Sequence, residues 1–342
     1  MRAVDEGLAQ AADVARALVG GAVELNRIVG GGRNSRIWRV RSSAGIFALK
    51  QYPSRPNDPR DRLSTEVGAL RFLERHHVDK VPHVVGVDDQ RGYALLSWID
   101  GGDVVDIVDD DIDAVVEFLR AVHNLRTSPA AAAQPLAAEA CLSGREILRQ
   151  VGERLAKLRS LSQPGDELID FLGHSFAPQF ANWSMSARAL AAEGGLDFDG
   201  ELPQEWRSLV PSDFGFHNSL RRRDGSLAFV DFEYFGWDDP VKMTADILLH
   251  PGKTLPSAQR ARFRQAATRL YGGDDPAFAR RLSAYLPLFA CRWALIILNE
   301  FVPERWRQRT LAGEPGSWSE VKTRQLARAR EFLRTLSEKF TE

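Results

Sequence analysis

Apolar residues recur at helical spacing over residues 3–19, and then the rhythm shortens. Residues 23–29 alternate apolar and polar, Gly30-Gly31-Gly32 interrupts, and residues 37–40 alternate again. A turn at 42–45 leads into a third short apolar run at 46–50, so period-two patterning predicts an antiparallel sheet. A Pro-rich, charged loop (53–62) precedes a predicted helix at 63–76, with Val67, Leu70, Phe72 and Leu73 as its apolar stripe. Two further strands are predicted at 84–87 and 93–98, around a turn at 88–92. Ile99-Asp100-Gly101-Gly102 then reads as a flexible break.

Beyond residue 111 the spacing becomes helical almost throughout. Helices are predicted at 115–125, 143–161 and 166–175, the last stopped by Pro178. Residues 187–203, Gly-rich and acidic, read as a loop. A helix starting at Asp239-Pro240 runs toward His250, and others cover 257–271, 276–301 and 318–340. The fold class is therefore α+β: a five-stranded antiparallel sheet with one helix, followed by a mainly helical part. At 342 residues the chain suits two lobes, placed at 1–99 (with an extra N-terminal helix) and 100–342.

Composition narrows the function classes. A net charge of -1 gives neither a basic field for nucleic acid nor a polybasic membrane patch. The longest apolar run, 286–298, contains Pro287 and Arg292 and reads as too short to span a bilayer. Cys141 and Cys291 lack metal-ligand spacing and read as reduced, structural thiols of a cytoplasmic protein. The sequence gives no reading of oligomeric state.

The chemistry gathers in Pro211-Ser212-Asp213-Phe214-Gly215-Phe216-His217-Asn218 and the following Val230-Asp231-Phe232-Glu233. Asp213 and Asn218 stand five residues apart in a loop, and a short apolar strand delivers Asp231. A base, an amide oxygen and a second carboxylate form a hard, oxygen-rich site suited to Mg²⁺. In phosphoryl transfer one Asp orients a hydroxyl while Asn and Asp hold the metal. In the N-terminal part, glycines let backbone N–H groups approach phosphates. Lys50 at a strand end and Glu66 one turn into a helix form the pair that fixes an amine on nucleotide phosphates.

These residues resemble the aminoglycoside phosphotransferase and choline kinase group of small-molecule kinases. The resemblance rests on Gly30-Gly31-Gly32-Arg33-Asn34, Ala48-Leu49-Lys50, Glu66, Trp98-Ile99-Asp100-Gly101, Asp213 with Asn218, and Asp231-Phe232. It implies a protein-kinase-like two-lobed fold with ATP in the cleft. Lys50 would hold the phosphates and pair with Glu66, Asp213 would be the catalytic base, and Asn218 and Asp231 would bind Mg²⁺. The glycine-rich turn (Gly31, Gly32, Asn34, Ser35) would cover the phosphates, and backbone around Ser97 and Ile99 would read the adenine. The family's His two before the catalytic Asp is Pro211 here, and Ser212 replaces the usual Gly. His217 reads as a hydrogen-bonded loop residue rather than a phosphate ligand. Glu233, where protein kinases have Gly, reads as a stiffer turn. The implied reaction moves the γ-phosphate of ATP to a hydroxyl of a small sugar, amino sugar or amino alcohol. An aminoglycoside acceptor and a catalytically dead nucleotide-binding protein are the alternatives. An aminoglycoside would need a wall of carboxylates, for which Asp106, Asp109 to Asp111, Asp113 and Glu300 are the candidates.

Overall fold

The computed structural model describes residues 2–28, 35–53, 60–161, 163, 165–312 and 316–341. Helix α1 (Arg2–Val19) precedes strands β1 (Glu24–Ile28), β2 (Arg36–Ser42) and β3 (Gly45–Gln51). Helix α2 (Arg62–Arg75) follows, then β4 (Val84–Asp88) and β5 (Tyr93–Ser97). The five strands form one sheet in the order β1-β2-β3-β5-β4, every neighbour antiparallel.

Alternation along the strands gives this sheet two apolar faces. Trp38, Val40, Leu49, Tyr93 and Leu95 pack on one side against Ala11, Val14 and Ala15 of α1. Side chains of this kind contribute about 1.5–3 kcal/mol each when fully buried, so α1 is an integral layer of the sheet. On the other side Ala94 and Leu96 meet the stripe of α2 that includes Val67, Leu70 and Leu73. Lys50, next to Leu49 in β3, therefore points to the α2 side. Asp61 caps α2 by accepting the Ser64 N–H at 3.2 Å. The buried residues of α2 include Glu66 as well as Leu70 and Leu73, which sets Glu66 on the face toward Lys50.

The segment predicted as a flexible break is partly a strand. Gly102–Asp103 (β6) pairs with β8 (Ser219–Arg221), which pairs with β9 (Leu227–Phe229). A Cβ on Gly101 would stand 2.9 Å from the Arg221 carbonyl oxygen, so glycine is needed there for close approach rather than for flexibility. A separate two-stranded ladder joins β7 (Ser208–Val210) to β10 (Gly236–Asp238).

The helical part holds α3 (Asp109–Asn124), α4 (Gly144–Ser160), α5 (Glu167–Asp170), α6 (Ala177–Glu193) and α7 (Pro240–Leu249). It ends with α8 (Ser257–Tyr271), α9 (Phe278–Ile297), α10 (Pro303–Ala312) and α11 (Trp318–Thr341). Pro178 does not stop a helix as predicted. A π-helical turn over Phe171–Phe176 runs directly from α5 into α6, and Pro178 follows it without ending the helix. The predicted loop from 187 is consequently helical as far as Glu193. Helix α10 was not predicted. Helix α9, with a 3₁₀ turn to Phe301, is by length and composition alone long and apolar enough to cross a membrane. It packs against α4, α6, α7 and α11 as the central helix of this part, 72% buried over its apolar window.

Candidate active site

The loop between β7 and β8 is held in shape from several sides. Ser212 has φ of 70°, left-handed for a non-glycine residue, and its buried hydroxyl accepts a bond from Lys242 Nζ at 3.1 Å. Phe214 stacks on Phe118 with ring centroids 5.3 Å apart. Gly215 has φ of 151°, and its carbonyl accepts from Asn218 N (3.0 Å) and Ser219 Oγ (2.9 Å). These contacts brace the loop where Pro211 replaces a histidine. Asn218 donates its side-chain N–H to the Asp213 carbonyl at 2.8 Å, so its amide oxygen is the end left to offer a cation. The Val230 N–H bonds the Asn218 carbonyl at 3.0 Å, which sets Asn218 beside Asp231 across the hairpin.

Asp231 has φ of 70°, a second left-handed non-glycine residue, on the turn after β9. Lys50 Nζ lies 2.7 Å from Asp231 Oδ1, 2.6 Å from Glu66 Oε2 and 3.3 Å from Glu233 Oε2. Glu66 also accepts from Tyr52 OH (2.7 Å) and from the Phe232 N–H (3.1 Å), so a helix of the N-terminal part grips the turn that carries Asp231. Burial disfavours the Lys50 charge, but Asp231, Glu66 and Glu233 overcome it and hold the amine protonated well above its usual range. Burial, with neighbouring carboxylates, pushes Asp231 and Glu233 up.

Glu233 is the functional candidate that the sequence reading missed. Far from merely stiffening a turn, it pairs with Arg62 and Lys50 and accepts from Ser35 Oγ at 3.4 Å. The signal was an acid two residues after Asp231, a spacing that brings both carboxylates to one side of an extended turn. Oxygen atoms of Glu66, Asp231 and Glu233 all lie within 4.8 Å of one another. These are hard oxygen donors of the kind Mg²⁺ takes, and Lys50 Nζ lies among them in this structure.

Of the expected nucleotide contacts, Ser35 lies in this group through its bond to Glu233. Gly31, Gly32 and Asn34 fall outside the described residues. Ser97 donates its N–H to the His83 carbonyl (2.9 Å) and accepts the His83 N–H on its hydroxyl (2.8 Å), so both are spent inside the sheet. Ile99 lies two residues beyond β5 in irregular backbone.

Asp213 stands on the other side of Asn218, its side chain 42% exposed. His217 Nε2 lies 3.1 Å from Asp213 Oδ1, and the His217 ring stacks on His250, centroids 3.8 Å apart and 6° from parallel. His250 meets Trp293 edge-on at 4.9 Å, and Trp293 Nε1 donates to Asp246 at 2.8 Å. Desolvation disfavours the Asp213 charge, but the His217 bond and the charges of His217, His250 and Lys242 outweigh it and hold the carboxyl well below its usual range. His217 is thus hydrogen-bonded and packed, as read from the sequence, and His250 is a further member that sequence order alone could not place.

Three of the acidic residues considered as a wall for a cationic acceptor are held in ion pairs. Asp111 pairs with Arg221 at 2.7 Å, Asp113 with Arg262 at 2.5 Å and Glu300 with Arg309 at 3.0 Å.

Comparison with known proteins agrees with this geometry. The model of the phosphotransferase enzyme family matches residues 24–140 and 129–282. No curated protein matches the chain in sequence. Among solved structures, a choline/ethanolamine kinase family protein from Mesorhizobium loti is similar with TM-score 0.58 at 18% identity, covering 97% of each chain. Choline kinase LicA from Streptococcus pneumoniae is similar with TM-score 0.58 at 16% identity, covering 94% of this chain and 97% of that one. A spectinomycin phosphotransferase solved with ADP and spectinomycin gives TM-score 0.60 at 11% identity, covering 92% and 97%. The fold is the two-lobed, protein-kinase-like one, and the chain belongs to the phosphotransferase enzyme family.

Proposed function

We propose that the chain is an ATP- and Mg²⁺-dependent kinase that phosphorylates a hydroxyl of a small polar metabolite. The observation that carries this reading is the convergence on Lys50. A strand cation of the N-terminal part lies within 2.7 Å of both Glu66 and Asp231, tying the sheet to the oxygen-rich turn of the helical part. The lobes are assigned to residues 1–99 and 100–342, with the nucleotide between them.

Lys50, held by Glu66, contacts the nucleotide phosphates. Asn218, Asp231 and Glu233 would hold Mg²⁺, which when bound would offset negative charge on the phosphates. Asp213 orients the acceptor hydroxyl and takes its proton as the oxygen bonds to the γ-phosphorus. The bond from that phosphorus to the β–γ bridging oxygen breaks, and ADP leaves. His217 fixes the Asp213 rotamer. The presence and convergence of Lys50, Asp213, Asn218 and Asp231 argue against a dead nucleotide-binding protein. Two buried, unpaired cysteines suit a reducing cytoplasm.

Thermal-shift measurements with ATP, with and without Mg²⁺, test the reading. Ligand at about a hundred times its dissociation constant adds roughly 2.7 kcal/mol of stability. A shift that needs Mg²⁺ for its full size is expected. No shift with any nucleoside triphosphate at millimolar concentration would remove the kinase reading.

A further inference from the structure

Both oxygens of one buried carboxylate lead to Asp213, by different routes. Asp246 Oδ2 lies 3.0 Å from Lys242 Nζ, which donates at 3.1 Å to the hydroxyl of Ser212, the residue before Asp213. Asp246 Oδ1 accepts the Trp293 Nε1–H at 2.8 Å. Trp293 meets His250 edge-on, His250 stacks on His217, and His217 Nε2 lies 3.1 Å from Asp213 Oδ1. These contacts form a ring. It starts at Asp246 and meets Asp213 beside its backbone on one side and at its carboxylate on the other.

Lys242 is 2% exposed and stands in the first turn of α7. Burial disfavours its charge, but Asp246 and Asp238, the latter 3.7 Å from Nζ, overcome this and raise its pKa. Those two acids account for a buried ion pair and leave the bond to Ser212 unexplained. That bond falls on a residue with φ of 70°, a conformation that strains a serine and that glycine adopts freely. Where glycine would relieve the strain, serine instead offers Lys242 a hydroxyl. The Ser212 carbonyl also accepts the Phe214 N–H at 2.7 Å, so the backbone is tied on both sides of Asp213.

We propose that Lys242, fastened by Asp246, is a positioning residue for the base. Through the Ser212 hydroxyl it sets the backbone that presents Asp213, on the loop where Pro211-Ser212 departs from the family pattern. Trp293, His250 and His217, anchored on the other oxygen of Asp246, set the carboxylate itself. This rests on the kinase reading above, in which Asp213 takes the acceptor proton.

The test compares full-length Ser212→Gly, Lys242→Met and the double variant with the wild type. Mg-ADP affinity is read by calorimetric titration, and ATP hydrolysis, with water as acceptor, by ADP release. Each single variant should cut hydrolysis at least about tenfold and leave Mg-ADP affinity nearly unchanged, because the base is displaced and the nucleotide is not. The double variant should be no slower than the slower single one, since both changes break the same bond. The imidazole N–H resonance of His217, assigned by its absence from His217→Asn, should be present in the wild type and lost or broadened in both single variants. Losses that multiply in the double variant, hydrolysis unchanged in Ser212→Gly, or no His217 resonance in the wild type overturns the proposal. Where water is too poor an acceptor for hydrolysis to be measured, the resonance decides, and a sharp His217 signal retained in Ser212→Gly overturns it. Ser212→Gly also decides it if Lys242→Met fails to fold. Absence of Mg-ADP binding in the wild type would instead fault the kinase reading.

Discussion

Lys50 carries its charge in a place that costs it most of its hydration, and three carboxylates keep it charged. Lys50→Met removes the cation shared by Glu66, Asp231 and Glu233 while keeping an unbranched apolar stem. The variant is expected to fold with stability lower by about 1–3 kcal/mol, since the three neighbouring acids lose their shared countercharge. Weak ATP binding and almost no turnover should accompany it, read by calorimetric titration and ADP release. Glu139 gives the pH dependence. Burial opposes its charge, but Arg292, Arg154 and Arg60 pull its pKa from 4.5 down to about 2. A depressed acid stabilises the fold above its unfolded pKa and loses that contribution as pH falls through the folded value. Denaturation midpoints should therefore fall between about pH 4.5 and 2, and Glu139→Gln, already lacking the charge, should flatten that part of the profile. Lys50, Glu66, Asp213, Asn218 and Asp231 were legible in the sequence because each sits at a fixed offset within a strand, helix turn or loop. The Glu139 cluster was not, because its partners lie 15 and 153 residues away in the chain and leave no local pattern. His250 was hidden in the same way, being brought to His217 only by the course of α7.

Strand alternation made the sheet legible, and in the structure one of its faces is covered by the extra N-terminal helix. Helix α1 supplies it through Ala11, Val14 and Ala15, all fully buried. Val14→Asp places an unpaired charge against Trp38 and Tyr93. A loss on the order of 3 kcal/mol and a less cooperative melt of the N-terminal part are expected, checked by circular dichroism. An unchanged melt would mean that α1 is dispensable to the sheet. The elements that sequence reading misjudged share a cause, because tertiary context overrode a local breaker. Pro178 lies just after a π-helical turn in a helix that continues through it, and Gly101 marks close packing on Arg221 rather than a hinge.

Across the whole molecule, the sheet-borne cation and the loop-borne acids have separate structural supports, so their roles can be separated by mutation. Asp231 lies against Lys50 and the other carboxylates, whereas Asp213 is turned toward His217 and is partly open to solvent. Asp231→Asn should weaken Mg-ATP binding and turnover together, since a neutral amide is a poorer ligand for a hard cation. Asp213→Asn should leave Mg-ATP affinity nearly unchanged while cutting turnover by on the order of 10²–10⁴, the usual effect of losing a positioned base. The decisive measurement is isothermal titration of a non-hydrolysable ATP analogue with Mg²⁺ into the wild type and these two variants. Affinity retained in Asp213→Asn and lost in Asp231→Asn is the predicted result. Equal loss in both would contradict the division of base from metal ligand, and full affinity in both would place the nucleotide elsewhere.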